Sequence, residues 1–426
     1  MKKILLAGTA IVGVAMLSQP AKADLKLDLQ GYFRGYAVYT DNAEPGLTKS
    51  GAANNKLSKF SFMRDNEVHF TGQTTLDNGL TVGVHNELKL GSEANGPGAG
   101  GTPNFGAQQH DPFGYPGDEP TMTDETYAYF QGEWGRVNLG SEDGAAYLLQ
   151  VAAPSADSNI DGLRVYISGF DQATWIPGAF KAGTGLGGAG VNLPLGYDNA
   201  DFRQSERLTY LTPKWNGFQA GASYAAVPGM QNAFGGTYGQ PVDSNVGQFK
   251  DLWEASARWD GEFSGFGISI GGGFSGASTQ NTAAAGALGS KDLETWDGGL
   301  NFTWQQFSLG GAYRWSNTGT SEAVGGANAD ARIWDVGLGW DNGPWHAGAS
   351  YYNNLLDGDA YGFEAATPTP GSKLTLQRET VGGGYTYGPG MTVRGAVALL
   401  QADANSGTGS ETKDQTQVTI GTDINF

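Results

Sequence analysis

Apolar and polar residues alternate along most of this chain in segments of about ten residues, the length of a membrane-spanning strand. Near the N-terminus, Leu27, Leu29 and Phe33 fall on one parity, and positions between them carry polar side chains such as Asp28 and Arg34. Successive side chains of a β-strand point to opposite faces. The alternation therefore predicts strands with one apolar face and one polar face.

Two kinds of connection join these strands. The short ones are rich in turn residues and number seven: Asp77 to Gly79, Gly132 to Gly135, Pro213 to Gly217, Asp260 to Gly265, Gln305 to Gln306, Asp341 to Pro344, and Gly388 to Gly390. The long ones are polar and glycine-rich and number eight: Asn42 to Leu57, Gly91 to Thr123, Gly144 to Gln204, Gly229 to Lys250, Gly276 to Lys291, Asn317 to Ala329, Leu356 to Lys373, and Asp403 to Lys413. An even strand number with short turns at one end and long loops at the other is typical of outer-membrane barrels. The sequence thus predicts an all-β fold, a 16-stranded antiparallel transmembrane β-barrel.

Tryptophans stand at both ends of several apolar faces. Two such sets are Trp296, Leu300, Phe302 and Trp304, and Trp334, Val336, Leu338 and Trp340. Because indole is amphipathic and collects at the membrane–water interfaces, these positions predict two aromatic girdles. The alternative is an exported soluble sandwich or propeller with these aromatic residues in its core.

The first 23 residues have the pattern of an export signal. Lys2 and Lys3 precede an apolar stretch from Ile4 to Leu17, and Ala21-Lys22-Ala23 is a small-x-small cleavage site. We predict a signal peptide at 1–23 and a mature barrel at 24–426. Cleavage removes three lysines and no acid, so the formal net charge falls from −18 to −21.

Composition excludes several classes of function. The chain has 0 cysteines, which rules out a disulfide scaffold and a Cys-ligated metal in an exported protein. Its acidic balance argues against nucleic acid as a partner. After the signal, no apolar run is long enough for a transmembrane helix.

The longest connection, Gly144 to Gln204, breaks the alternation. Ala145 to Gln150 has the composition of a short helix, and a glycine-rich run follows from Gly183 to Gly190. Structureless connections of this length are uncommon in compact folds and are usually functional or disordered. We interpret it as a constriction loop after the fifth strand that folds into the barrel and narrows the pore. Its acidic residues would be Asp157, Asp161 and Asp171.

Two segments resemble a known family. Tyr127 to Ser141, which reads Tyr-Ala-Tyr-Phe-Gln-Gly-Glu-Trp-Gly-Arg-Val-Asn-Leu-Gly-Ser, is similar to the fourth strand, tight turn and fifth strand of general Gram-negative porins. The alternating strand from Gln417 ends on Phe426, as the last strand does in that family. With the signal, the strand number and the position of the longest loop, the whole mature chain resembles these porins, most closely those of alphaproteobacteria.

The resemblance implies an outer-membrane homotrimer that passes small hydrophilic solutes and ions by passive diffusion and has no enzymatic activity. It also implies contact with outer-membrane lipid and lipopolysaccharide, and recognition of Phe426 by the barrel assembly machinery. The chain departs from enterobacterial members in two places. It has Pro154-Ser155-Ala156-Asp157 where they carry a Pro-Glu-Phe-Gly-Gly-Asp tip, and Ser141 where they carry an arginine before the loop.

Strand parity places a set of arginines on the polar face: Arg34, Arg207, Arg258, Arg314, Arg378 and Arg394. We predict that Arg34, Arg207, Arg378 and Arg394 form a basic pore wall. Barrel closure would bring Arg34, Arg378 and Arg394 near one another, facing the acidic loop. Rings of charged side chains let a pore select by charge. The alternative is that these arginines are solvated around the bore. The negative net charge and the loop carboxylates predict a modest preference for cations.

No residues form a confident metal site, and no cofactor is predicted. Glu142 and Asp143 are weak candidates for a loosely bound Ca²⁺, which takes oxygen ligands in flexible geometry; solvated acidic loops are the alternative. The four histidines show no His-x-x-x-His spacing. His69 and His85 lie inward on one hairpin and are interpreted as polar lumen groups rather than metal ligands.

Enzyme motifs are weak. Gly267 to Gly271 matches a nucleophile elbow but lies inside an alternating strand, and Gly183 to Gly188 matches a dinucleotide fingerprint without a strand before it. Two alternatives to a passive porin remain: a substrate-specific sugar channel of about eighteen strands, and an outer-membrane hydrolase built on a barrel.

Overall fold

A computed structural model describes residues 25–42, 58–89, 123–161, 196–198, 205–228, 249–279, 292–317, 330–357, 373–405 and 410–426. The predicted signal peptide lies outside the described residues. The described strands are β1 (Lys26–Asn42), β2 (Phe60–Thr75), β3 (Thr81–Lys89), β4 (Thr123–Gly132), β5 (Gly135–Glu142), β6 (Ser205–Leu211), β7 (Phe218–Ala225), β8 (Phe249–Phe263), β9 (Phe266–Thr279), β10 (Leu293–Trp304), β11 (Phe307–Ser316), β12 (Ala331–Asn342), β13 (Trp345–Asp357), β14 (Lys373–Gly388), β15 (Met391–Asn405) and β16 (Ser410–Asn425). Two short helices, α1 (Ala145–Leu148) and α2 (Ser158–Asp161), lie between β5 and β6.

The sixteen strands form one closed antiparallel barrel. Each strand pairs with its neighbours in sequence, and β1 closes the sheet by pairing with β16 in a register that sets Arg34 opposite Asp423. The last residue continues this seam, since the Phe426 N–H donates to the Gly31 carbonyl at 3.0 Å. The predicted 16-stranded barrel is confirmed. The alternative of a soluble sandwich or propeller is wrong in topology. The alternative of an eighteen-stranded channel is wrong in strand number.

Short turns join the strands in pairs, as the sequence predicts. At the first of them, the Leu76 N–H donates to the Leu80 carbonyl at 2.8 Å and Gly79 has φ of +82°. Glycine adopts such positive φ values without steric cost, which makes Asn-Gly a strong hairpin signal. This turn sets the register of β2 against β3, with Thr71 opposite His85 and His69 opposite Glu87.

Apolar side chains cover the outer face of the barrel. Trp253 is 58% exposed and Ile420 is 61% exposed in the isolated chain, and Val336 and Val418 are exposed as well. Large exposed aromatic residues also flank the short turns: Trp134, Trp215, Phe263, Phe266, Trp304, Phe307, Trp345 and Tyr385. A barrel with an apolar outer band and aromatic residues at its margins is suited to a bilayer. Among the described residues, no helix is long and apolar enough to cross a membrane.

Candidate functional site

The chain turns onto the inner wall of the barrel directly after β5. Gly144 lies against the buried ion pair of Arg207 and Glu254, where a Cβ would collide with both side chains. The Ala145 N–H donates to the Ser223 hydroxyl on β7 at 2.7 Å. A glycine and then small residues therefore allow the backbone to enter the barrel close to its wall.

From α1 the backbone follows the inner wall across successive strands. Its carbonyl oxygens accept hydrogen bonds from wall side chains. Arg258 on β8 donates to Gln150 O at 3.1 Å, and Asn301 on β10 donates to Ala152 O at 2.7 Å. Since a closed barrel has one interior, contacts with polar-face residues of so many strands place residues 144–159 inside it.

Glycines in the wall make room for this backbone. A Cβ added to Gly299 on β10 would collide with Val151 O, and one added to Gly337 on β12 would collide with Pro154 O. At Gly348 on β13, a Cβ would lie 2.9 Å from Ser155 O. We call Gly299, Gly337 and Gly348 the glycine path. They explain why the high glycine content includes inward positions in the middle of strands.

The segment is held at its far end by Asp157. The Tyr36 hydroxyl on β1 donates to Asp157 Oδ2 at 3.1 Å, and Arg394 Nη1 on β15 lies 3.3 Å from Asp157 Oδ1. Asn159 donates to Asp423 Oδ1 on β16 at 2.9 Å, and Arg394 Nε lies 3.1 Å from Asp423 Oδ2. These five residues, Tyr36, Asp157, Asn159, Arg394 and Asp423, form the anchor cluster.

Asp157 is only 1% exposed. Burial raises the pKa of its carboxyl above the ordinary value, because the charged form loses hydration. Arg394 and hydrogen bonds from Asn159 and Tyr36 oppose this shift in pKa, and the nearby Asp423 charge adds to it.

The four predicted wall arginines occupy different surroundings. Arg34 Nη1 lies 3.3 Å from Asp65 Oδ2, and both Arg34 and Arg394 lie beside Asp423. Arg378 lies elsewhere: Arg394 pairs across the sheet with Gly384, six positions along β14 from Arg378 and so about 20 Å away along the strand.

The prediction that barrel closure brings Arg34, Arg378 and Arg394 near one another is therefore correct for Arg34 and Arg394 and wrong for Arg378. Strand parity defines the face of a residue but not its position along the barrel. Arg378 instead lines a cavity of about 160 Å³ between residues 152–158 and the wall, with its guanidinium 5.2 Å from the centre of the Tyr352 ring. Arg207 faces inward, but Glu254 neutralises it and both are buried.

Comparison with known proteins identifies the family. A model of the Gram-negative porin family matches residues 7–405. The chain belongs to this family. It is an outer-membrane porin, and so a channel. No curated protein matches the sequence at a significant level. The alphaproteobacterial affinity stays a prediction.

Solved porins share the fold. An anion-selective porin from Comamonas acidovorans has 15% identity and a TM-score of 0.56, covering 95% of this chain and 100% of its own. Salmonella typhi OmpF in complex with daunomycin has 16% identity and a TM-score of 0.52, covering 94% and 98%. The trimer form of OmpT from Vibrio cholerae has 10% identity and a TM-score of 0.51, covering 94% and 99%. At such identities the likeness shows the fold alone.

The remaining predicted site residues are only partly described in this porin. Asp161 ends α2, but its side chain lies outside the described residues, as does the whole of Asp171. Glu142 and Asp143 are buried where β5 meets the segment, and Asn138 donates to Glu142 Oε2 at 2.7 Å. Their role as Ca²⁺ ligands stays a prediction.

Sequence reasoning missed most of the anchor cluster. Tyr36 and Asp423 have the right parity for the polar face, but nothing near them in sequence indicates a partner. Asn159 lies two residues after Asp157 and is separated from Asp423 by 264 positions. The one available signal was closure of β1 on β16, which brings inward residues near the two chain ends together.

Proposed function

We propose that this porin is a water-filled channel for passive diffusion of small hydrophilic solutes and ions, narrowed by the connection between β5 and β6. The observation that supports this is the course of residues 144–159, which run along the inner wall from β7 to β1 and end in the anchor cluster. A segment that occupies part of the bore reduces the cross-section open to solutes.

A modest cation preference fits the charges beside this segment. Among the described residues around the anchor cluster, Asp65, Asp157 and Asp423 face Arg34 and Arg394, so carboxylates exceed guanidinium groups. Low-dielectric walls focus the field of such groups in a narrow channel. The formal net charge of −18 has the same sign. The solved Comamonas porin is described as anion-selective, so this chain would differ from it in selectivity.

The test is single-channel conductance in planar bilayers with reversal potentials in a salt gradient. Asp157→Asn removes the charge that faces Arg394 and Tyr36, and the Asp157/Asp161/Asp171→Asn triple variant removes all three predicted loop charges. Each charge-assisted hydrogen bond that Asp157 accepts contributes roughly 1.5–3 kcal/mol. We expect higher conductance, because the segment is held less firmly, and a lower cation preference.

A matched control is Asp77→Asn, which removes an exposed carboxylate in the short turn between β2 and β3. It should leave conductance and reversal potential unchanged. If Asp157→Asn behaved like Asp77→Asn, the segment would not limit the pore.

A homotrimer is the proposed assembly. The trimer form of OmpT supports it by fold, and Gly35 and Ala37 give β1 small outward residues on which another subunit could pack. Light scattering of the detergent-solubilised porin should give three chains per particle. A monomeric mass would contradict the proposal.

A further inference from the structure

Two histidines and a glutamate converge on the inner face of β2 and β3. His85 Nε2 lies 3.0 Å from Glu87 Oε1, and His69 Nδ1 lies 3.3 Å from the same oxygen. The three side chains are 17–20% exposed, so small ions in the lumen can reach them. They lie well apart from the anchor cluster in sequence, and the proposed conduction path does not require them.

In each histidine, the ring nitrogen that does not face Glu87 also has a polar partner. His69 Nε2 lies 3.0 Å from Glu67 Oε2, and His85 Nδ1 lies 2.7 Å from the Thr71 hydroxyl. Metal-ligating histidines typically donate their other N–H to a carboxylate or another oxygen, which fixes the ring and its tautomer. When the ring protons are on Nε2 of His69 and Nδ1 of His85, the other two nitrogens are unprotonated. These nitrogens, His69 Nδ1 and His85 Nε2, then present lone pairs toward the Glu87 carboxylate. A cation shared by the three groups would stabilise that arrangement.

The distances that separate His69 Nδ1, His85 Nε2 and Glu87 Oε1 suit a transition metal. A tetrahedral ion with bonds of 2.0–2.1 Å holds its ligand atoms about 3.4 Å apart. The separations of His85 Nε2 and His69 Nδ1 from Glu87 Oε1 are 3.0 and 3.3 Å, and the three residues each offer a ligand atom within 4.8 Å of the others. Glu87 lies at an irregularity in the β3–β4 register, between Asn86 and Leu88. Such bulges redirect a side chain and are frequent next to functional sites.

We propose that His69, His85 and Glu87 bind one divalent transition-metal ion of the Zn²⁺ class on the inner wall of the barrel. Imidazole ligands suit Zn²⁺, Cu²⁺ and Ni²⁺, whereas Ca²⁺ and Mg²⁺ prefer oxygen ligands alone. Glu67 and Asp124 add carboxylates beside Glu87, offset in part by Lys89, whose Nζ lies 3.0 Å from Asp124 Oδ1. The local negative charge favours entry of a cation.

Calorimetric titration of the detergent-solubilised full chain with Zn²⁺ tests the site. We expect one ion per chain in the wild type and at least about tenfold weaker binding in His69→Gln and in His85→Gln. His346→Gln is the matched control, because His346 also contacts a carboxylate, Asp341 at 2.8 Å, but lies outside this group. It should bind Zn²⁺ as the wild type does.

Thr71→Val tests the supporting hydrogen bond without removing a ligand, and loss of such partners lowers metal affinity by about 10–100-fold. Circular dichroism verifies that each variant keeps its β-sheet. Absence of Zn²⁺ binding in the wild type would overturn the proposal. Equal binding by His69→Gln, His85→Gln and the wild type would also overturn it, as would binding of Ca²⁺ in place of Zn²⁺. Because heat of binding is measured without current, the result is independent of the proposed conduction path.

Discussion

Asp157 and Asn159 connect the loop segment to three strands that lie far from it in sequence. Its carboxylate accepts from Tyr36 on β1 and lies at ion-pair distance from Arg394 on β15, and Asn159 continues the contacts to Asp423 on β16. A charged group buried this deeply persists because it is paired and hydrogen-bonded. The Asp157 side chain therefore holds the segment against the wall, and in the proposed channel it would also contribute charge to the bore.

The pH dependence of ion selectivity should reveal the ionisation of the Asp157 carboxyl. A carboxyl is negative above its pKa and neutral below it, and burial raises the pKa of Asp157 above its ordinary value. As the pH falls, Asp157 should therefore lose its charge before ordinary exposed carboxyls, which titrate near about pH 4. Reversal potentials measured from pH 7 downward should show cation preference declining early in the wild type. Coincident curves for the wild type and Asp157→Asn would contradict this assignment.

The buried pair of Arg207 and Glu254 gives a prediction about stability. Arg207→Met leaves the Glu254 carboxylate buried without its guanidinium, which costs about 3–5 kcal/mol. The double variant Arg207→Met/Glu254→Met removes both charges and should recover much of that loss. Denaturant unfolding in lipid vesicles, followed by tryptophan fluorescence, measures both. An unchanged unfolding midpoint for Arg207→Met would show that the pair has no role in stability.

At the scale of elements, the wall and the in-folded segment are complementary in shape. The segment's backbone lies directly on the glycine path, and wall side chains such as Asn301 bind the carbonyls that a loop would otherwise expose to water. Buried backbone oxygens need such partners. The strands thus provide both the space and the hydrogen-bond donors for residues 144–159.

Gly299→Ala should displace the segment. The added methyl group would overlap Val151 O, and overpacking of this kind costs about 1–3 kcal/mol. Because the segment can move only away from the wall, we expect a lower single-channel conductance. The control is the neighbouring Gly298→Ala on the opposite face, whose Cβ would meet only Gly271 O at 3.7 Å. Equal conductance in the two variants would count against contact at Gly299.

At the scale of the whole molecule, closure leaves the barrel with no free strand edge. β16 pairs with β15 on one side and β1 on the other, and Phe426 hydrogen-bonds Gly31 in both directions. A spanning sheet must satisfy its backbone groups internally in lipid, so closure is required. Phe426 is 60% exposed at this seam. Its recognition by assembly machinery stays a prediction, as does contact with lipopolysaccharide.

The apolar band on the outer face predicts that the stability lost on adding a charge depends on the depth of that charge in the bilayer. Leu300 lies between Trp296 and Trp304 on the outer face of β10, so Leu300→Arg places a charge near the middle of the bilayer. The expected loss of stability is about 2–4 kcal/mol, whereas Gln306→Arg in the adjoining turn should cost about 0–1 kcal/mol. Reversible unfolding in phospholipid vesicles measures both. Similar losses would mean that Leu300 does not face lipid.

The sequence by itself determined the barrel. Period-two alternation, turn signals such as Asp77 to Gly79 and paired tryptophans are local features, and each reports the face or the end of a strand. They were enough for the strand number, the inward arginines and the position of the long connection. The same features also predicted Asp157 as an acidic residue of the loop. The reason is electrostatic: a carboxylate in a loop that folds against a basic wall is attracted to it.

Only the tertiary structure decided which of these groups meet. Tyr36 and Asp157 are 121 positions apart, and Arg207 meets Glu254 rather than the open bore. The convergence of His69, His85 and Glu87 depends on the hairpin register and a bulge, which the residue pattern alone did not reveal. The physical reason is that parity defines the face of a residue, whereas its position along the bore and its partners follow from register and from closure of β1 on β16.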